Sequence, residues 1–141
     1  DDNSERKSIV KMLKDRRKVM NVNAIHKNAS LSGSTDIAHG NFIDDGTVLG
    51  AKSVIGNHNL LHVGVIIEYE ANIGQFVQIG AGSVIGAGTK IEDEAFIGAG
   101  AVIVPGIRIG KNARIGAGSV VVENVDDNVT VFGNPAKPVN V

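Results

Sequence analysis

A chain of 141 residues leaves room for one ordinary domain. Fourteen Lys and Arg against fifteen Asp and Glu give a net charge of −1, too balanced for a nucleic-acid arm or a membrane-surface patch. Cysteine is absent, which excludes disulfides, thiolate metal sites and an acyl-cysteine intermediate. No apolar run approaches the roughly 18 residues of a membrane span, and the charged start is unlike a signal peptide, so a soluble cytoplasmic protein is expected.

Segment 1–22 opens with a predicted helix from Ser4 to Arg17. Ser4 or Asn3 can cap it, Ile9, Val10 and Leu13 form an apolar stripe, and Lys7, Lys11, Lys14 and Arg17 face water. A solvated helix face accounts for this concentration of cations more simply than an anion site does.

Segment 23–125 repeats every six residues. Steps of six from Ile25 to Val121 land on an aliphatic residue 17 times in succession, which independent placement would produce about once in a million trials. Sixteen of the 18 glycines fall one or three places after those positions. A period of six suits neither a helix nor sandwich strands. It suits a two-residue strand and a sharp corner, three to a coil, with the aliphatic side chain pointing inward. Coils stacked about 4.8 Å apart place Ile over Ile, leave no space for rings, and make a prism about 27 Å long. The scarcity of aromatics, four Phe and one Tyr, follows. Segment 126–141 breaks the grid and reads as a short strand with a Pro-containing tail that covers the last coil.

The chemistry is sparse. His39, His58 and His62 could in principle form a three-histidine metal site, but His58 and His62 occupy different columns of the grid, so no metal is expected. GAGSVIG and GAGAVIV imitate phosphate-binding loops, yet they are products of the columns, and no Gly-Lys-Ser/Thr follows. One stretch, Leu60 to Gly80, concentrates His62, Glu68, Tyr69, Glu70 and Gln78 in an otherwise bland repeat.

The grid of aliphatics and glycines resembles the left-handed parallel β-helix of the hexapeptide acyltransferases. More narrowly the chain resembles the family of bacterial sialic acid O-acetyltransferases and nucleotide-amino-sugar N-acetyltransferases. Four stretches carry this: Asp2-Asn3 with Arg6, Ile25 to Ala29, Val65 to Gly74, and Phe132 to Lys137. The resemblance implies an all-β fold with a left-handed coil. It further implies that 1–22 ends a preceding nucleotide-sugar-binding domain. It implies a homotrimer with acetyl-CoA lying between prisms along Gly98, Gly100, Gly116, Gly118 and Lys137, and an acyl transfer needing no metal.

The family's Glu-His-Asp/Glu motif, whose histidine is the base, reads Glu68-Tyr69-Glu70 here, and a second family histidine reads Gln78. A phenol is a poor base at neutrality. His62 stands where the family tends to have Asn, so His62 is expected to replace the base, oriented by Glu68 or Glu70. Tyr69 and Glu70 complete the catalytic set, with Glu68 and Gln78 binding substrate. The expected activity is acetylation of a nucleotide-linked amino sugar for bacterial surface glycans, an amine being easier to deprotonate with a weak base than a hydroxyl. The competing expectation is a non-catalytic trimeric β-helix, since both family histidines are missing.

Overall fold

The computed structural model describes residues 3–17 and 22–140. Helix α1 (Asn3–Arg17) precedes seventeen two-residue strands, from β1 (Ala24–Ile25) to β17 (Val120–Val121), and a closing hairpin of β18 (Thr130–Gly133) and β19 (Ala136–Pro138). From β4 to β17 each strand stacks in parallel on the strand three before it, so the chain winds three sheets into a prism. Face A contains β1, β4, β7, β10, β13 and β16 and is extended by the hairpin. Face B contains β2, β5, β8, β11, β14 and β17, and face C contains β3, β6, β9, β12 and β15. Among the described residues no helix is long and apolar enough to cross a membrane.

The register holds the grid in place. Ile79 lies over Leu61 and Ile97 over Ile79, and from Ile43 to Val121 every grid residue is at most 1% exposed. Burial of that kind contributes about 1.5–3 kcal/mol per side chain. The first coil differs from expectation. Ile25 is 42% exposed, and Leu31 and Ile37 are half-buried, because the described chain places no coil below them to complete their packing. The last coil is shorter than the rest: Val125 bridges Ile109 and Thr130 pairs with Arg114, each pair closer in sequence than the three hexads that separate partners elsewhere.

The two glycine columns have different physical causes. A Cβ on Gly98 would lie 2.5 Å from the Ala117 amide nitrogen of the next coil, so that column is kept bare by the crossing backbone. Gly100 has open space around it but sits at φ +69, a conformation that L side chains resist.

At the corner between faces C and A the interior holds an asparagine ladder. Asn59 Oδ1 accepts from Val77 N–H at 2.8 Å, Asn59 Nδ2 donates to Gly74 O at 2.9 Å, and Asn41 repeats the pattern one coil earlier. Asn59 is fully buried. Truncating it to Ala leaves Val77 N–H and Gly74 O without these partners. Urea unfolding of Asn59→Ala at fixed protein concentration is therefore expected to show a loss of about 2–3 kcal/mol. A loss below about 0.5 kcal/mol would mean that water replaces the ladder.

The three outer faces are unlike one another. Face C is polar: Arg108 Nη2 pairs with Asp127 at 3.0 Å, and Glu92 takes Arg108 and Lys90 at 3.4 and 3.5 Å. A bond from Lys111 N–H and then Arg108 hold the Asp127 carboxyl below the usual carboxylate range. Face B presents a flat row of β-branched residues, Val48, Ile66, Val84, Val102 and Val120, in parallel register. Three of these, Val48, Ile66 and Val102, are 37–39% exposed. Face A carries mixed residues and stands beside α1.

Candidate functional site

Helix α1 is seated on the edge between faces C and A, and the corner residues explain why. Corners need positive φ, and the A–B edge supplies it with glycine alone at 46, 64, 82, 100 and 118. On the C–A edge the same positions after Gly40 hold His58, Phe76, Glu94 and Asn112. Each non-glycine residue there costs about 1 kcal/mol of backbone strain. Three of them contact the helix region directly. Asn3 Nδ2 donates to Phe76 O at 2.5 Å, Arg6 donates to His58 O and to Asn3 Oδ1, and Lys7 pairs with Glu94. Arg6 and Lys7 also lie over the Phe76 ring, at 5.6 and 5.7 Å, while His58 stacks beneath it at 5.0 Å. Burial pulls the Arg6 guanidinium below its ordinary value.

Lys7 is thus a docking residue where solvation was expected, and Lys11 is exposed. The expected apolar stripe is only partly used: Val10 and Leu13 are half-buried, but Ile9 is 48% exposed. The side chains of Lys14 and Arg17, and Asp2, lie outside the described residues.

His62 sits on the A–B edge, directly after β7 (Leu60–Leu61). Its ring contacts Gln78 of β10 (Gln78–Ile79), Nε2 to Nε2 at 3.3 Å. The residue stacked over His62 is Gly80, so the imidazole has a bare position beside it. One place further, the N–H of exposed Ala81 has no hydrogen-bond partner among the described residues. The imidazole is half-buried; an imidazole can take a proton, and a backbone N–H without a partner can donate to negative charge.

Within the single chain Glu68, Tyr69 and Glu70 do not join His62, so no glutamate of the same chain orients the imidazole. They form the B–C corner, separated from His62 by the width of face B at β8 (Ile66–Ile67). The reason is the repeat itself: one hexad advances the chain by one face, whereas residues about three hexads apart meet on one edge. Tyr69 is 57% exposed, and no side-chain partner of these three residues exists among the described residues. Their backbone is fixed, with Glu70 at φ 58 donating its N–H to Ala51 O at 2.9 Å and Tyr69 N–H crossing over Gly50.

The expected coenzyme residues divide into two kinds. Gly98 is covered by Ala117, and Gly116 lies under the Phe132 ring, so both have packing reasons internal to the chain. Gly100 and Gly118 are exposed on the A–B edge. Lys137 stands opposite Phe132 in the hairpin, its Nζ 3.6 Å from Glu123. His39, exposed, and His58, buried, both belong to the C–A corner, away from His62. No cluster of three potential metal ligands exists among the described residues.

Sequence reasoning overlooked a cleft of about 480 Å³ between α1 and face A, floored by Gln78, Phe96 and Arg114 and walled by Asn3, Lys7 and Asn112. Its signal was available: Gln78, Phe96 and Arg114 recur in every third hexad, on the outward side of one face.

Residues 88–123 match the family described as bacterial transferase hexapeptide (six repeats). No curated protein matches the chain. Among solved structures the chain is similar to PerB from Caulobacter crescentus in complex with CoA and GDP-perosamine. Identity is 32%, the TM-score is 0.95, and the match covers 99% of this chain and 67% of that one. A histidine-to-alanine variant of GDP-perosamine N-acetyltransferase from the same organism matches at 31% identity and TM-score 0.96, covering 99% of this chain and 66% of that one. The acetyltransferase domain of PglB from Neisseria gonorrhoeae with acetyl coenzyme A matches at 29% and TM-score 0.94, covering 97% and 66%. The chain therefore spans about two thirds of the length of these solved relatives. A prism of stacked hexads that follows PerB over almost all its length, at 32% identity, belongs to the hexapeptide-repeat sugar acetyltransferases.

Proposed function

We propose that the protein transfers the acetyl group of acetyl-CoA to a nucleotide-linked amino sugar in cytoplasmic synthesis of bacterial surface glycans. The observation that carries this reading is the match over 99% of the chain to a relative solved with both CoA and GDP-perosamine. The acceptor amine or hydroxyl attacks the thioester carbonyl directly, since no cysteine exists to carry an acyl group. A bond forms from acceptor nitrogen or oxygen to the carbonyl carbon, the carbon–sulfur bond breaks, and CoA leaves as the thiol. His62 takes the acceptor proton and passes it to the departing thiolate, Gln78 steadies the imidazole, and the Ala81 N–H faces the oxyanion. Removing one such donor in other acyl-transfer sites costs about 10²–10³ in rate.

The active assembly is a homotrimer. Face B is the apolar face, face C is charged, and face A is partly occupied by α1, so face B turns toward the threefold axis. The A–B edge of one prism then meets the B–C edge of the next. That arrangement brings the partner's Tyr69 and Glu70, as catalytic residues, and the partner's Glu68, as a substrate contact, toward His62. The pantetheine arm of CoA runs along Gly100 and Gly118, with Gly98 and Gly116 shaping the backbone beneath and Lys137 at the far end.

Acetyl-CoA is expected to raise the melting temperature, with a stabilisation of about 2.7 kcal/mol at one hundred times the dissociation constant, and zinc to leave it unchanged. An unchanged melting point with acetyl-CoA, together with no thiol release across a panel of nucleotide-linked amino sugars, would reject the enzyme reading in favour of a non-catalytic β-helix.

A further inference from the structure

The A–B edge changes character at Val63. Along its crest the corner glycines tie each coil to the one below: Gly118 N–H donates to Ala99 O at 2.8 Å, and Gly100, Gly82 and Gly64 donate to the carbonyls of Ala81, Val63 and Asp45, each at 2.9 Å. Ala99, Ala81, Val63 and Asp45 therefore stand in one column. Ala99 and Ala81 each offer only a methyl group, so this part of the crest is low. Val63 is the first branched side chain met on the way down that column; it follows His62 directly in the chain and is 51% exposed. Below it the edge becomes polar. His26 Nδ1 lies 3.7 Å from Asp45 Oδ1, and Asp44 Oδ1 accepts from Asp45 N–H at 2.7 Å.

The proposed coenzyme path fixes the direction of a thioester on this edge. Its sulfur arrives along Gly118 and Gly100, and its carbonyl oxygen turns to the Ala81 N–H. The three substituents of a carbonyl carbon share one plane, so the remaining one, the alkyl chain, points away from the sulfur and down the edge to Val63. An acetyl group ends one carbon–carbon bond later, at about 1.5 Å. Longer chains must enter the volume that the Val63 methyl groups occupy, within the roughly 4.8 Å that separates this coil from the one below. Beyond Val63 they would strip water from the Asp45 carboxylate, which contact with hydrocarbon disfavours. We propose that Val63 is the end wall of the acyl pocket and selects acetyl over longer acyl groups, with Asp45 as a polar barrier beneath it. This deepens the acetyltransferase reading and rests on it and on the coenzyme path along Gly100 and Gly118.

The test measures thiol release from acetyl-, propionyl- and butyryl-CoA, with a nucleotide-linked amino sugar as acceptor, for wild type, Val63→Ala and Val54→Ala. Calorimetric titration of the same proteins with CoA and butyryl-CoA, without acceptor, gives a readout independent of turnover. Val63 is not one of the positive-φ corner residues and is half exposed, so alanine is accommodated there. Val54, 37% exposed on face C, controls for the same truncation elsewhere on the surface. Wild type is expected to lose about tenfold or more in kcat/KM from acetyl to propionyl and more again to butyryl, the discrimination that one methylene supports in a closed pocket. Val63→Ala should lower acetyl transfer severalfold, since the methyl group loses its wall, and raise the butyryl-to-acetyl ratio of kcat/KM by about tenfold or more. It should also tighten butyryl-CoA relative to CoA, while Val54→Ala moves neither ratio by more than about twofold. A role of Val63 in packing alone lowers all three donors together. An unchanged ratio in Val63→Ala therefore overturns the proposal, as does wild type that uses butyryl-CoA as well as acetyl-CoA, or an equal shift in Val54→Ala. Failure of the acetyltransferase reading is seen separately, as wild type that releases no thiol from any donor. The titration then decides: an unchanged affinity ratio in Val63→Ala, or no binding of CoA at all, overturns the wall as well.

Discussion

His62→Ala should lower kcat/KM for acetyl transfer by about 10²–10⁴, the contribution typical of a positioned general base. At about 1.36 kcal/mol per decade that is roughly 3–5 kcal/mol of transition-state stabilisation. The imidazole is half-buried and its one side-chain partner among the described residues is Gln78, so the substitution removes little packing and the melting point should hardly move. Acetyl-CoA binding should persist, because proton transfer is lost and the coenzyme groove is not. Gln78→Ala should produce a smaller fall, about tenfold, through a mispositioned ring. The decisive measurement is steady-state thiol release with a nucleotide-linked amino sugar, alongside a pH–rate profile for each variant. If His62→Ala retains most of wild-type kcat/KM, the base lies elsewhere, and Tyr69 across the interface becomes the group to replace next.

The second large effect concerns assembly. Ile66 is central in face B, between Val48 and Val84 in register and 39% exposed in the single chain. Ile66→Lys would place three ammonium groups around one axis with no carboxylate on that face, and each buried unpaired charge costs several kcal/mol. The proposed trimer should dissociate to monomers in sedimentation velocity. Activity should fall to background with it, because His62 and Tyr69 occupy opposite edges of face B and the proposed site joins them only between copies. Lys90→Glu on face C, also a charge change on an outer sheet position, should leave the mass unchanged. A trimer that survives Ile66→Lys would remove face B as the interface and with it the composite site.

The contrast between edges links these expectations to the fold. On the C–A edge, strained non-glycine corners are retained because His58, Phe76 and Glu94 hold α1 through Arg6, Asn3 and Lys7. On the A–B edge every such corner is glycine, and Ala81, Ala99 and Ala117 keep the ridge smooth. A bare edge permits the close approach that the proposed pantetheine path and the proposed second prism both require.

The six-residue period alone determined the coil, the inward Ile column, the lack of rings in the core and the point where the last coil fails. That is because a side-chain pattern repeating every third hexad admits one stacking register, and a slip of one residue would turn every aliphatic outward. It also determined that His62 and Gln78 could meet, since a separation close to one full coil brings two residues together on neighbouring turns. What the linear order hid was which residues do not meet: Glu68 and Glu70 are close to His62 in sequence but a full face away in space. Only the tertiary structure decided that Asn3 and Arg6 grip corner carbonyls, that Gly98 and Gly116 are roofed by their own chain, and that α1 leaves a cleft ending at Arg114. The grip of Asn3 and Arg6 and the cleft depend on how a helix of ordinary composition lies against a prism edge, and the cover of Gly116 on how the closing hairpin folds back over it; no local propensity or repeat encodes those placements.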